Sequence, residues 1–282
     1  MLKAILLCAL LGFVSDSSHS RHTNLPDPPA PFERFTILTD SIPRATIAGV
    51  ILPAQGRARG TLFLCHGYGR SKEYLYGWDW IRRELKWNLV LFDFREHGQS
   101  THSRHLCSLG YFEIWDVKAV IDLAEQRNLA GPYAIYGQSL GGSIGMRWAA
   151  QDGRVEGVLA VSPYRNGLSA SEKFLRAWTG CNISLFNAHP GWRKIVASVD
   201  LPADVSQRRD LRLWIMCGEH DIFPASDQRA ILAASPAPQP FKRLFVIPGA
   251  SHNDLWQWRG DERVPSHDRI IREFLDECRR SR

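Results

Sequence analysis

The 282-residue chain has only six cysteines and three methionines, and no cluster of His, Cys or Asp falls at metal-ligand spacing. Neither a metal nor a cofactor is therefore expected. There is no internal repeat and no polar, low-complexity linker, which argues against a solenoid and against separate modules. The formal net charge is +6, but Lys and Arg are scattered, and only Arg279-Arg280-Ser281-Arg282 forms a cluster. With no nucleic-acid motif beside them, these charges read by default as a solvated face. They would also suit an anionic substrate, a lipid headgroup or a membrane surface. The apolar run from Ala4 to Val14 is too short to span a bilayer comfortably.

What is present points to one large core, since 44% of the residues are apolar. Strand-like and helix-like segments alternate, the pattern of an α/β protein with a mostly parallel sheet and helices on both faces. Asn88 to Phe94 and Pro132 to Tyr136 read as central strands. Between them Ile114, Val117, Ile121 and Ala124 recur at the three- and four-residue spacing of a buried helical stripe. Leu140, Ile144 and Trp148 repeat every four residues and read as core.

The run Tyr136-Gly137-Gln138-Ser139-Leu140-Gly141-Gly142 lies at the junction of such a strand and helix. A serine with glycines two residues before and two after, at a strand-to-helix turn, is the form of a nucleophile elbow. Larger side chains at Gly137 and Gly141 would strike neighbouring backbone, and the serine is forced into a strained conformation that lifts its hydroxyl. A nucleophilic serine also needs a base, an acid to orient that base, and donors for an oxyanion.

Residue types for each role follow in order. The strand Thr61 to Cys65 runs into His66-Gly67-Tyr68-Gly69, where the backbone N–H of Tyr68 would join that of Leu140 as oxyanion donors. The strand Leu211 to Cys217 ends in Gly218-Glu219-His220-Asp221, offering a carboxylate at its tip. Leu244 to Ile247 leads to Gly249-Ala250-Ser251-His252, offering an imidazole. Asp221 is preferred as the acid by position; Glu219 is two residues away, and Asp254 reads as a loop residue. Val155 to Pro163 ends without a carboxylate.

The chain order Ser139, Asp221, His252 resembles that of the α/β-hydrolase superfamily, and the resemblance runs from about Phe35 to Cys278. Asp93-Phe94-Arg95-Glu96-His97-Gly98-Gln99-Ser100 is similar to the Asp-x-Arg-Gly-x-Gly-x-Ser segment after the fourth strand of many members, with Glu96 in place of glycine. Gly249 to Asp254 is similar to the His-Asn-Asp loop of a branch that includes lipid and thioester hydrolases. The resemblance implies a serine hydrolase of a carboxylic ester or thioester, acting through an acyl-enzyme. A peptidase or amidase on the same triad, or a non-catalytic binding protein on the same scaffold, is the alternative. A small cap insertion is expected at about 164–210, between strands 6 and 7, with Phe174, Trp178, Phe186 and Trp192 available to line an acyl pocket. The bland reading of that segment is ordinary helix packing. No broad apolar lid is evident, so short to medium acyl groups are expected.

Among the histidines, His66 reads as a structural pin of the oxyanion loop, and His97, His102 and His105 as solvated in a polar loop. Residues 1–20 have the short positive and apolar regions of an export signal, with a retained N-terminal anchor as the alternative. Residues 21–282 are then one domain carrying the cap. Export would permit a disulfide between Cys107 and Cys181, two free thiols being the other reading, and Asn182-Ile183-Ser184 matches a glycosylation acceptor.

Overall fold

The computed structural model describes residues 26–102, 107–179 and 190–280. Eight strands form one sheet: β1 (Glu33–Leu38), β2 (Thr46–Leu52), β3 (Gly60–Cys65), β4 (Trp87–Phe92), β5 (Tyr133–Gln138), β6 (Val155–Val161), β7 (Arg212–Gly218) and β8 (Lys242–Ile247). Their spatial order is β1-β2-β4-β3-β5-β6-β7-β8. The first two strands pair antiparallel and β2 meets β4 antiparallel; every later pairing is parallel.

Continuous apolar runs make the inner strands. Every residue of β3, β4 and β7 is buried, as a parallel sheet covered on both faces requires. The helices are α1 (Ile114–Gln126), α2 (Leu140–Ala149), α3 (Gly167–Thr179), α4 (Pro190–Ala197), α5 (Leu201–Val205), α6 (Ala225–Ala234) and α7 (His267–Arg279). One core cluster joins a face of the sheet to Val117 and Ile121 of α1, Leu140 and Ile144 of α2, and Leu201 and Val205 of α5. The second joins the other face to Leu75, Tyr76 and Ile81 and to Ile270, Ile271, Phe274 and Leu275 of α7. The last four recur at helical spacing behind the N-cap Ser266, whose hydroxyl accepts the Arg269 N–H at 3.3 Å.

The insertion between β6 and β7 comprises α3, α4 and α5. A Cβ on Gly167 would fall 2.4 Å from the Val196 carbonyl oxygen, so the first two of these helices meet closely. Val196, Val199, Leu201 and Val205 join the core, as ordinary packing on the sheet would have it. The side chains of Phe174, Trp178, Phe186 and Trp192, like residues 1–25, Cys181 and the acceptor Asn182, lie outside the described residues. Among the described residues no helix is long and apolar enough to cross a membrane.

Candidate active site

The strand order lays out the site. At the carboxyl edge of the sheet, the ends of β3, β5, β6, β7 and β8 stand side by side, each opening into a segment singled out above or bearing on one. Ser139 sits between β5 and α2 at φ 48°, ψ −109°, a left-handed conformation costly for any residue with a Cβ. The surrounding glycines make the turn possible. A Cβ on Gly137 would lie 2.4 Å from the Gly141 carbonyl, and one on Gly141 would lie 2.4 Å from the Cys65 carbonyl oxygen.

The three side chains expected to converge do so. His252 Nε2 lies 3.1 Å from Ser139 Oγ, and His252 Nδ1 lies 2.8 Å from Asp221 Oδ1. With Nδ1–H donating to the carboxylate, Nε2 is free to accept from the serine hydroxyl. The Asp221 side chain is fully buried, whereas 16% of the His252 side chain is exposed, so the imidazole stands between solvent and an enclosed anion. Burial alone would raise the Asp221 pKa. The hydrogen bond and charge of His252, the Ser162 hydroxyl and the Phe223 N–H more than offset it, holding the carboxyl below its ordinary value. The competing carboxylates point elsewhere: Glu219 accepts the Gly249 N–H at 2.9 Å, and Asp254 accepts from Ser251 at 2.5 Å.

The loop after β3 runs beside the elbow, for a Cβ on Gly67 would come 3.8 Å from that of Ser139. His66 is fully buried; its Nε2 accepts the Phe94 N–H at 3.1 Å and its Nδ1–H donates to the Gly67 carbonyl at 2.8 Å. Burial pushes its pKa down to about 4, in keeping with a neutral ring that pins the loop carrying Tyr68. Leu140 opens α2, so its N–H is one of the amides with no acceptor inside the helix.

The segment after β4 corrects one expectation. His97 is not solvated: it is 5% exposed, its Nδ1–H donates to the Arg95 carbonyl at 2.9 Å, and its ring meets those of His66 and Tyr68 at 5.1 and 5.6 Å. The reason is the Asp93 carboxylate, which draws in the Gln99 N–H, the Lys72 N–H and the Lys72 ammonium at 2.7 to 2.8 Å and so folds the polar segment inward. His102 remains exposed, and His105 lies outside the described residues. Glu96 adopts φ 62°, a conformation in which glycine would be at ease and glutamate is strained.

Sequence reading did not single out the buried Lys72 and Asp93 pair, which fastens the segment after β3 to the end of β4, or Ser162, whose hydroxyl donates to Asp221 Oδ2. The only advance sign of the latter was that a small polar residue stands at the β6 tip where no carboxylate does. Cys107 is a buried free thiol whose pKa is pushed well up, chiefly by burial. Among the described residues no group of three or more His, Cys, Asp or Glu could hold a metal ion.

The chain belongs to the α/β-hydrolase fold family, whose sequence model matches residues 60–207, more than half of its length. By sequence it is similar to slr0264 of Synechocystis, a protein with a provisional esterase name, at 31% identity over 106 residues, 36% of this chain and 28% of that one. The chain thus spans under a third of the length of the curated relatives it matches. Among solved structures it resembles the Pyrococcus furiosus esterase Pf2001, at a TM-score of 0.63 and 18% identity over 87% of this chain and 93% of that one. A soluble variant of monoglyceride lipase from Saccharomyces cerevisiae, in complex with a substrate analogue, gives a TM-score of 0.62 at 17% identity over 90% and 98%. These two likenesses show the fold.

Proposed function

We propose that the protein is a serine hydrolase that cleaves a carboxylic ester or thioester through an acyl-enzyme on Ser139. The observation that carries this reading is the unbroken relay from Ser139 Oγ through His252 to Asp221, with contacts of 3.1 and 2.8 Å, at a strained turn.

In this reading the Ser139 oxygen bonds to the substrate carbonyl carbon while His252 Nε2 takes the hydroxyl proton. The buried Asp221 stabilises the imidazolium that forms. The backbone N–H groups of Tyr68 and Leu140 hold the oxyanion, each such donor lowering the barrier by about 3 kcal/mol. The imidazolium returns its proton to the departing alcohol or thiol as the bond from the carbonyl carbon to that group breaks. Water then attacks the acyl-enzyme with His252 again as base. Short to medium acyl groups are the expected substrates.

Fluorophosphonate labelling tests the assignment. The folded protein is expected to be labelled at one residue, Ser139, and to hydrolyse p-nitrophenyl acetate, with Ser139→Ala abolishing both. Folded protein that neither labels nor turns over a short ester would be a binding protein on this scaffold instead. Export is part of the same reading, supported by the charge and apolarity of the first 14 residues. Sequencing the N-terminus of the mature protein is expected to begin beyond Ser17, and recovery of the intact chain from the cytosol would overturn it.

A further inference from the structure

We infer that Ser162 is a positioning residue of the catalytic relay: its hydroxyl sets the orientation of the Asp221 carboxylate and, through it, that of the His252 imidazole. The inference rests on the serine hydrolase reading and adds to it a residue that never touches substrate.

Ser162 is the first residue beyond β6, 1% exposed and held from both sides. The preceding carbonyl, that of Val161, accepts the Ser139 N–H at 2.7 Å, and the Ser162 N–H donates to the Met216 carbonyl in β7 at 2.7 Å. The two oxygens of Asp221 are served unequally. Oδ1 takes His252 Nδ1–H at 2.8 Å and the Phe223 N–H at 3.0 Å, whereas Oδ2 has the Ser162 hydroxyl in close contact and the Gly218 N–H only at 3.4 Å. Without the hydroxyl, Oδ2 of a fully buried carboxylate keeps a single long contact, and the group's orientation rests on the two Oδ1 bonds alone.

The backbone at this point gives no reason for serine. Ser162 adopts φ 51°, a region where glycine is at ease and asparagine the next choice. A serine held there against its conformational preference is accounted for by what its side chain reaches. The loops on either side are joined independently: the buried Gln228 amide donates to the Pro163 carbonyl at 2.8 Å and to the Phe223 carbonyl at 3.3 Å. The backbone frame therefore survives loss of the Ser162 hydroxyl, which makes the hydroxyl's own contribution measurable.

A donor on Oδ2 also offsets part of the charge that faces the imidazole. Removing it alters both the charge and the hold that the imidazole meets as it takes the Ser139 proton.

The test compares Ser162→Ala, Ser162→Gly and Ser162→Thr with the unaltered protein on p-nitrophenyl acetate, each normalised to the sites titrated by a fluorophosphonate. Glycine removes the hydroxyl while relieving the backbone, so lost activity in that variant cannot be put down to misfolding. We expect Ser162→Ala and Ser162→Gly to lose about tenfold in kcat with KM within about twofold. Ser162→Thr, which keeps the hydroxyl, should recover most of the lost kcat. A glycine variant with unchanged kcat would overturn the inference while leaving the hydrolase reading intact. If the unaltered protein fails to label or turn over, the hydrolase reading falls and takes this inference with it.

Discussion

The amide of Ser139 donates to the carbonyl of Val161 at 2.7 Å, so the turn at Ser139 hangs from the neighbouring strand rather than only from its own. One residue further on, the Ser162 N–H reaches Met216 in the next strand. The tips of β5, β6 and β7 are thereby laced together, and the span between serine and acid is set by strand spacing, about 4.8 Å per step. Two steps leave a gap that an imidazole arriving from the loop after β8 can bridge.

The elbow's tolerance of side chains should follow its contacts. Gly141→Ala puts a methyl 2.4 Å from the Cys65 carbonyl oxygen, backbone that cannot yield, and is expected to destabilise the protein by about 3 kcal/mol. Gly153→Ala, with nothing within 4 Å, should change stability by about 0.5 kcal/mol or less. Urea denaturation of the two variants provides the comparison.

Ser139 carries backbone strain at φ 48°, which the proposed nucleophilic role would account for. Ser139→Gly should therefore be more stable than the natural protein by about 1 kcal/mol while losing esterase activity. A melt showing glycine to be destabilising would mean that the turn is not strained.

The ammonium of Lys72 sits 2.7 Å from both Asp93 and Glu73, with side-chain exposures of 3%, 0% and 7%. Lys72→Met leaves two buried carboxylates without their cation and is expected to cost about 3 to 5 kcal/mol. Chemical denaturation at pH 7 reads the loss. Because Lys72 also anchors the loop that bears Tyr68, esterase activity per folded molecule should fall with it.

Acid sensitivity should trace in part to His97. Burial, with the neighbouring His66 adding to it, pushes its pKa down to about 4. Between pH 6.5 and 4 the unfolded chain therefore binds a proton that the folded chain refuses, and folded stability falls as the pH is lowered. The penalty approaches about 3 kcal/mol at pH 4. His97→Asn keeps a donor for the Arg95 carbonyl but has nothing to titrate. The stability difference between the two proteins should thus move in favour of the variant as the pH falls through that window, and a constant difference would refute the assignment.

The elbow was legible in the residues because its logic is local. Gly137, Ser139 and Gly141 lie within one turn, and the clash that forbids a Cβ at Gly137 comes from Gly141 itself. The alternation of apolar strands and striped helices likewise specified a doubly covered parallel sheet, and Val117, Ile121 and Ala124 fall in its core. The choice of Asp221 rested on its place at a strand tip, and in the fold its Oδ1 lies 2.8 Å from His252 Nδ1.

Sequence by itself thus determined the class of fold, the tight turn at Ser139 and the chain order of Ser139, Asp221 and His252. Tertiary structure alone decided that His97 is buried, that Lys72 closes on Asp93 across 21 positions and that Ser162 reaches Asp221 across 59. Backbone preference and hydrophobic period act over a few neighbouring residues and so leave a mark in the string of letters. A hydrogen bond between strand tips depends on which strands lie side by side, and that is settled only when the whole sheet assembles.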